Sequence, residues 1–233
     1  MEQKFHAAIY NTVFEELTAN RAGCAFNIIG FLNITLKDLR FIKCTSTSSS
    51  FGGSVLINSN YISMFRCQYE ESNGYQAFVY MIEGIEQNEI GQISCQKCSG
   101  YSHLAGHSYC YSIISASNAS LYSSSKGLCG YHPWGGPLFH ISHLIYWSNT
   151  GNYIHSSFNI NDEETVTERL CTTNNTVRGS NALKIESNYH LVKQCYVLEK
   201  SATLGYASPL IPVKVRVVDC YFCVMPKEDE RVT

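Results

Sequence analysis

Short runs of the chain alternate apolar and polar residues, and four of these runs end in cysteine. They share the order apolar, polar, cysteine: Ile42-Lys43-Cys44, Phe65-Arg66-Cys67, Ile93-Ser94-Cys95 and Val218-Asp219-Cys220. Alternation with a period of two is typical of a β-strand with one buried face. We therefore expect these cysteines to point into a core, on the same face as the apolar residue two positions earlier.

A second pattern repeats around these strands. An asparagine stands seven residues before three of the cysteines, at Asn60, Asn88 and Asn188, and Asn152 stands seven residues before Asn159. Apolar segments that begin with glycine lie between the strands. Repeated units of this kind stack on one another. Asparagine tolerates the left-handed backbone conformation and can hydrogen-bond along a ladder, so we expect it at a bend of each unit.

The repeats predict an all-β chain folded as a parallel β-helix, a solenoid of about 7–8 coils with loop insertions. One inward strand-end residue marks each coil: Leu17, Cys44, Cys67, Cys95, Ser125, Asn159, Cys195 and Cys220. Uneven steps between these markers place insertions at Ser115–Trp134, Trp147–Tyr153 and Asn161–Val177, the last with room for one helical turn. A large β-sandwich is the alternative, since it also has many short strands.

The extent of the pattern predicts the domain organisation. We expect a single β-helix domain over residues 1–225 and a charged tail over 226–233. Four apolar residues near the start are spaced four apart: Phe5, Ile9, Val13 and Leu17. That spacing fits an amphipathic helix capping the stack, but the same stretch also fits a first coil, which we prefer. Because the pattern reaches both ends, a fragment of a longer protein is a second possibility.

Composition and charge narrow the functional classes. The 233 residues are 45% hydrophobic and 15% charged, which favours a buried core over disorder. The formal net charge of −2 gives no electrostatic reason to bind nucleic acid or anionic membranes. The chain has no apolar run of about 18 residues, so we expect no transmembrane segment. Its first residues lack the apolar run of a signal peptide, so we expect none in this chain.

The 11 cysteines are an unusually large and odd number. Such usage is typical of a disulfide framework, of metal ligands or of small buried apolar residues. The strand pattern favours the third interpretation. Cys220 and Cys223 have the spacing of a redox pair, but Tyr221 and Phe222 between them continue a strand, which favours a packing role.

The densest group of soft metal ligands is Cys95, Cys98, His103 and His107. Thiolate and imidazole ligands hold zinc tetrahedrally, so this group predicts a zinc-binding module. The first three match the opening of a zinc knuckle, but Ser108 stands where the knuckle needs cysteine. The alternative is that Cys95 points into the core while the others line an outer turn. We prefer this alternative and therefore expect no cofactor.

A second group gathers imidazole and indole rings on a predicted loop and the strand after it. The candidate binding residues are His132, Trp134, His140, His143 and Trp147. Exposed aromatic rings are typical of sugar-binding surfaces, because one face of a pyranose ring stacks on them. The alternative is an apolar loop folded onto the solenoid.

Two short motifs resemble the repeats of the polymorphic outer-membrane protein family. Gly53-Ser54-Val55-Leu56 and Gly23-Cys24-Ala25-Phe26 resemble its Gly-Gly-Ala-aliphatic motif, and Phe41-Ile42-Lys43-Cys44 resembles its Phe-x-x-Asn motif with cysteine for asparagine. The resemblance covers most of the chain, although no complete motif pair and no autotransporter barrel is present. It implies a right-handed β-helix displayed at the cell surface or outside the cell, used for adhesion. It implies no catalytic residues.

The sequence therefore favours a non-catalytic surface protein, similar to an adhesin, that presents a binding face to an unknown protein or glycan partner. The alternative is a carbohydrate-active enzyme of the pectin-lyase-like type, which needs grouped carboxylates. Here Asp38, Asp162 and Asp219 are predicted to lie in different coils. The zinc-binding module is the second alternative.

Overall fold

The computed structural model describes residues 5–47, 53–74, 78–100, 102–107, 111–120, 131–134, 139–178, 181–199, 203–206 and 214–223. These residues form strands, turns and bends and contain no helix. All pairings between their strands are parallel. The chain is thus the parallel β-helix that the repeats predict.

The strands follow one another coil by coil along the chain. In the N-terminal coils they are β1 (His6–Tyr10), β2 (Val13–Glu15), β3 (Thr18–Ala19), β4 (Phe26–Lys37), β5 (Arg40–Ile42), β6 (Thr45–Ser46), β7 (Val55–Phe65), β8 (Gln68–Glu70), β9 (Asn73–Gly74), β10 (Phe78–Gly91) and β11 (Ser94–Gln96). After them come β12 (Ser102–His107), β13 (Tyr111–Ser120), β14 (Tyr131–Trp134), β15 (Phe139–Trp147), β16 (Thr150–Gly151), β17 (His155–Thr173), β18 (Thr176–Val177), β19 (Asn181–Lys193), β20 (Tyr196–Val197), β21 (Thr203–Tyr206), β22 (Lys214–Val218) and β23 (Tyr221–Phe222). The stretch over residues 5–17 forms β1 and β2 and not the alternative helix, which confirms the preferred first coil.

Each coil turns through as many as four sides, which we label A to D in chain order. Long strands such as β4 and β7 supply side A with their first part and side B with their second. Side C is the ladder of β2, β5, β8, β11, the end of β13, the end of β15, the end of β17, β20 and β23. The two-residue strands β3, β6 and β9 form side D.

Single residues with positive φ make the turns on both flanks of side C. Between sides B and C they form a row that we call the BC corner row: Asn11, Asp38, Arg66, Gln92, His143, Arg169, Gln194 and Asp219. Between sides C and D they are Glu16, Lys43, Glu71, Lys97, Ser148 and Asn174. The left-handed conformation costs free energy for most residues, and this cost is smallest for glycine and asparagine. Most of these corners nevertheless carry longer polar side chains.

Two asparagines of the seven-residue spacing lie at a bend, as predicted, but without the left-handed conformation and not at the corners of side C. Asn60 and Asn188 lie in β7 and β19 where side A turns into side B, at register shifts of the pairing, and neither has positive φ. Asn88 lies inside side B and is buried. The asparagine ladder exists elsewhere, because Asn175 accepts a hydrogen bond from the backbone N–H of Asn149 at 2.7 Å.

The register also divides the predicted marker residues among three inward rows. Cys95 belongs to the central row of side C: Phe14, Phe41, Tyr69, Cys95, Ala119, Tyr146, Thr172, Val197 and Phe222. Cys67, Cys195 and Cys220 instead follow the BC corner row, and Cys44 follows the corner between C and D. Ser125 lies outside the described residues. Cys44, Cys67, Cys95 and Cys195 are buried, which confirms that the cysteines point inward.

The coils are more uniform in length than the uneven steps between the marker residues predict. Partners in the central row of side C are 24 to 28 residues apart, the shortest step being Cys95 to Ala119 and the longest Phe41 to Tyr69. Most of the predicted insertion Asn161–Val177 is strand, in β17 and β18, and forms no helical turn. The insertion Trp147–Tyr153 contains β16. The central row of side C has nine members among the described residues, so the number of coils differs slightly from the predicted 7–8.

The interior changes character along the axis. In the first coils Phe41 stacks on Phe14 and Tyr69, with ring centroids 5.1 and 4.5 Å away. In the last coils several buried polar side chains join the aliphatic ones, among them Thr165, Thr167, Thr172 and His190. Thr167 Oγ1 and His190 Nε2 are 3.0 Å apart and hydrogen-bonded. The buried hydrogen bond compensates part of the cost of placing polar groups in the core.

Candidate binding surface

Two outward rows of side C flank its central inward row. After the exposed Val13 of the first coil, their members are polar or half-buried: Arg40, Gln68, Ser94, Asn118, Ile42, Glu70, Gln96 and Ser120. In the last coils large apolar side chains replace them on either side of one coil that carries Cys171 and Thr173. We call these the side C patch: Ile145, Trp147, Tyr196, Leu198 and Tyr221, exposed by 54%, 49%, 56%, 38% and 55%. Tyr196 and Tyr221 are direct partners on adjacent coils.

An open groove borders the patch along the BC corner row. It has a volume of about 430 Å³ and is lined by Arg169, Leu170, Cys171, Gln194, Tyr196 and Asp219. Three of these residues are polar corner residues of successive coils, and Tyr196 belongs to the patch. The groove therefore combines an aromatic ring with a cation, an amide and a carboxylate, which is the mixture that gives a binding surface its specificity.

Hydrogen bonds fix the side chains along this corner. Arg169 Nε donates to Gln194 Oε1 at 3.2 Å. Arg169 Nη1 lies 2.9 Å from His143 Nε2. Because a guanidinium group only donates, Arg169 is the donor of this contact and the Nε2 atom of His143 accepts. The row is thereby preorganised across three coils.

Two cysteines lie beneath the groove. The backbone N–H of Cys195 donates to Cys220 Sγ at 3.3 Å. A hydrogen bond from the Cys195 thiol lowers the pKa of Cys220 to about 7, and the same contact raises the pKa of Cys195. Burial, with a smaller contribution from Asp38, raises the pKa of Cys67 to about 12. Cys220 is thus a more acidic thiol than Cys67, and it sits next to the proposed ligand surface.

The structure brings together only part of the predicted binding group. Trp147 belongs to the side C patch, and His143 belongs to the corner beside it. His140 lies on side B, around the corner. His132 and Trp134 lie in β14 on side A, and their side chains are outside the described residues.

His140 contributes to a separate charged cluster. Lys193 Nζ lies 2.6 Å from Glu168 Oε2, and His140 Nε2 lies 3.2 Å from Glu168 Oε1. The Lys193 ammonium group lowers the pKa of Glu168, with a smaller contribution from His140. The imidazole contact is close enough for an ion pair but lacks hydrogen-bond geometry. We interpret the cluster as a pairing of charges on side B.

The predicted zinc ligands are only partly described. Cys95 and Cys98 are both buried in the interior, and burial raises the pKa of Cys95. His103 and His107 lie in β12, with side chains outside the description. Within the described part of the chain, no three His, Cys, Asp or Glu side chains come together as metal ligands. The zinc module remains a prediction.

Sequence reasoning missed most of the side C patch and its groove. Tyr196, Leu198 and Tyr221 belong to short runs in which every position is apolar, Tyr196-Val197-Leu198 and Tyr221-Phe222-Cys223. Inward and outward residues look alike in such runs. Only the register, which places Val197 and Phe222 inside, identifies the tyrosines as exposed.

Comparison with protein-family models, with curated proteins and with solved structures finds no match for this chain. The described residues contain no helix that is long and apolar enough to cross a membrane.

Proposed function

We propose that this chain is a non-catalytic β-helix protein that uses the side C patch and its groove to hold a protein or glycan partner. The observation that carries the proposal is the exposure of Trp147, Tyr196 and Tyr221 on one side of the solenoid. Large exposed apolar patches are uncommon on proteins that do not use them for contacts.

The composition of the surface supports this role. Tryptophan, tyrosine and arginine are the residues that most often dominate binding energy at interfaces. Trp147, Tyr196 and Arg169 provide all three within a few coils. Parallel strands hold the patch on a rigid sheet, so little conformational entropy is lost when a partner binds.

The setting we propose is the cell surface or the extracellular space, with a role in adhesion. Support comes from the resemblance of the Gly-led and Phe-led motifs to the repeats of the polymorphic outer-membrane protein family, together with the parallel β-helix. Membership of that family is part of the proposal.

The test uses a glycan panel and a library of displayed peptides as probes, with the purified chain as the analyte. The variant Trp147→Ala combined with Tyr196→Ala should weaken selected ligands at least about tenfold, because two central rings are removed. The matched control is Gln68→Ala combined with Gln96→Ala, at the same rows in the polar half of side C. The control should bind like the unmodified chain.

Two results would contradict the proposal. One is a set of ligands that bind both variants equally well. The other is turnover of a polysaccharide in the panel that a point mutation on one face abolishes, since that would establish the pectin-lyase-like alternative.

A further inference from the structure

Two cysteines are stacked on each other in the inward row that follows the BC corner row. The residue after each corner residue points inward, and Cys195 and Cys220 hold this position in successive coils. The backbone N–H of Tyr221 donates to the Cys195 carbonyl at 2.8 Å, and Lys193 pairs with Val218. Cys195 and Cys220 are therefore direct neighbours on adjacent parallel coils, with Cα atoms about 4.8 Å apart.

This spacing suits a disulfide bond. Disulfides join cysteines whose Cα atoms are about 4.4–6.8 Å apart. The Cys220 sulfur already lies against Cys195, because it accepts a hydrogen bond from the Cys195 backbone N–H at 3.3 Å and another from the Cys195 thiol. Both cysteines are free in the structure. The pair is thus a reduced dithiol whose two sulfur atoms are already in contact.

The two thiols differ in their access to solvent. Cys195 is fully buried, whereas Cys220 is only half-buried. Hydrogen-bond donors stabilise a thiolate, and the contact with Cys195 lowers the pKa of Cys220 to about 7. The thiolate is the form of cysteine that attacks a disulfide. The accessible member of the pair is therefore also its nucleophile.

Two other thiol pairs among the described residues lack this combination. Cys95 and Cys98 are hydrogen-bonded to each other, but both are buried. In the pair of Cys24 and Cys44, the contact raises the pKa of the half-buried Cys24 and lowers the pKa of the buried Cys44. The more acidic thiol of that pair is therefore the one that solvent does not reach.

We propose that Cys195 and Cys220 form a dithiol site that reacts with low-molecular-weight disulfides such as oxidised glutathione. The Cys220 thiolate attacks one sulfur of the reagent, the S–S bond of the reagent breaks, and the departing thiolate takes up the proton that Cys220 lost. Cys195 then gives up its proton and attacks the Cys220 sulfur of the mixed disulfide, which releases the second thiol. Two cysteine thiols are oxidised to one disulfide, and one external disulfide is reduced to two thiols.

This site goes beyond the proposed binding function and does not depend on it. The test incubates the reduced, folded chain with oxidised glutathione and maps the modified peptides by mass spectrometry. The expected product is a disulfide between Cys195 and Cys220. Cys195→Ser should stop at a glutathione adduct on Cys220, because the second thiol is missing. Cys220→Ser should leave Cys195 unmodified, because the reagent does not reach the buried sulfur.

The matched control is Cys67→Ser. It makes the same change in the same inward row, where Cys67 lies between Leu39 and Ile93 and has no cysteine beside it in the row. This variant should form the disulfide between Cys195 and Cys220 as the unmodified chain does. Circular dichroism would show that each variant is folded.

Three results would overturn the inference. They are a folded chain in which Cys220 stays unmodified, a glutathione adduct on Cys220 that Cys195 does not displace, and a disulfide that forms only after the chain is unfolded in urea. All three are read from the peptide map of the unmodified chain, so they decide the question even where a variant fails to fold.

Discussion

The first coils and the last coils differ in the side chains that side C buries and exposes. On side C, the first coils bury Phe41 and Tyr69 and expose Arg40 and Gln68. The last coils bury Thr172 beside Val197 and expose Tyr196 and Tyr221 among other apolar residues. The backbone pairing is the same parallel ladder throughout.

The difference shows that the ladder itself does not decide which chemistry lies inside. Backbone hydrogen bonds between coils hold the fold in both regions, so side chains are free to be selected separately for packing and for binding. The first coils use this freedom to stack aromatic rings in a core that also buries small polar residues such as Ser54 and Ser72. The last coils bury larger polar groups and present an apolar exterior, which is why we propose partner binding there.

The largest effect is expected where the aromatic stack is interrupted. Phe41→Ala removes a fully buried ring that contacts rings on both adjacent coils, and we expect it to lower the free energy of unfolding by about 3–5 kcal/mol. Urea denaturation measures the change. Val197→Ala, in the same row of the last coils, should lower the free energy of unfolding by less, because a smaller side chain is removed. Equal losses at the two positions would remove the contrast between the two cores.

The next effect concerns the polar ladder of the last coils. Asn175 Nδ2 donates to the buried Glu199 carboxylate at 2.7 Å, and its Oδ1 accepts from Asn149. Asn175→Ala should lower the free energy of unfolding by about 2–4 kcal/mol, because a buried carboxylate loses a hydrogen-bond donor. The neighbouring Asn174→Gly, exposed and at positive φ, is the control and should change it by about 0.5 kcal/mol or less. Thermal unfolding that is unchanged in Asn175→Ala would show that the ladder does not stabilise this region.

The smallest expected effects are two changes in the free energy of unfolding that have opposite signs. Thr172 Oγ1 is buried and has no hydrogen-bond partner within the described part of the chain, so Thr172→Val should raise the free energy of unfolding by about 1 kcal/mol. Thr167 is equally buried but hydrogen-bonded to His190, so Thr167→Val should lower it by about 1–2 kcal/mol. The two substitutions are chemically identical, and denaturant midpoints compare them directly. The same sign for both would mean that volume, not hydrogen bonding, governs the polar interior.

The sequence predicts the architecture because inward cysteines and aliphatic residues repeat with strand periodicity. It does not predict the register. The corners are made by residues such as Lys43, Arg66 and Gln194, which give no signal of positive φ in a sequence. Without the corners, Cys44, Cys67 and Cys95 look equivalent although each belongs to a different row.

The candidate surface was predictable only in part, for a related reason. Trp147 and His143 stand out as members of a group of imidazole and indole rings, and they do lie at the patch and its corner. Tyr196 and Tyr221 are surrounded by apolar residues in the sequence and look like core. The groove also depends on Arg169, Gln194 and Asp219, which are 25 residues apart at each step and meet only when coils stack.

The parallel ladder also determines how the molecule would respond to tension. Its hydrogen bonds run along the solenoid axis, so a force that separates the two ends along this axis acts on one coil at a time. Each coil of 24 to 28 residues would release about 80–95 Å of chain at about 3.4 Å per residue. A tethered copy could therefore lengthen stepwise under load, and the order in which coils detach would depend on how strongly each interior is packed.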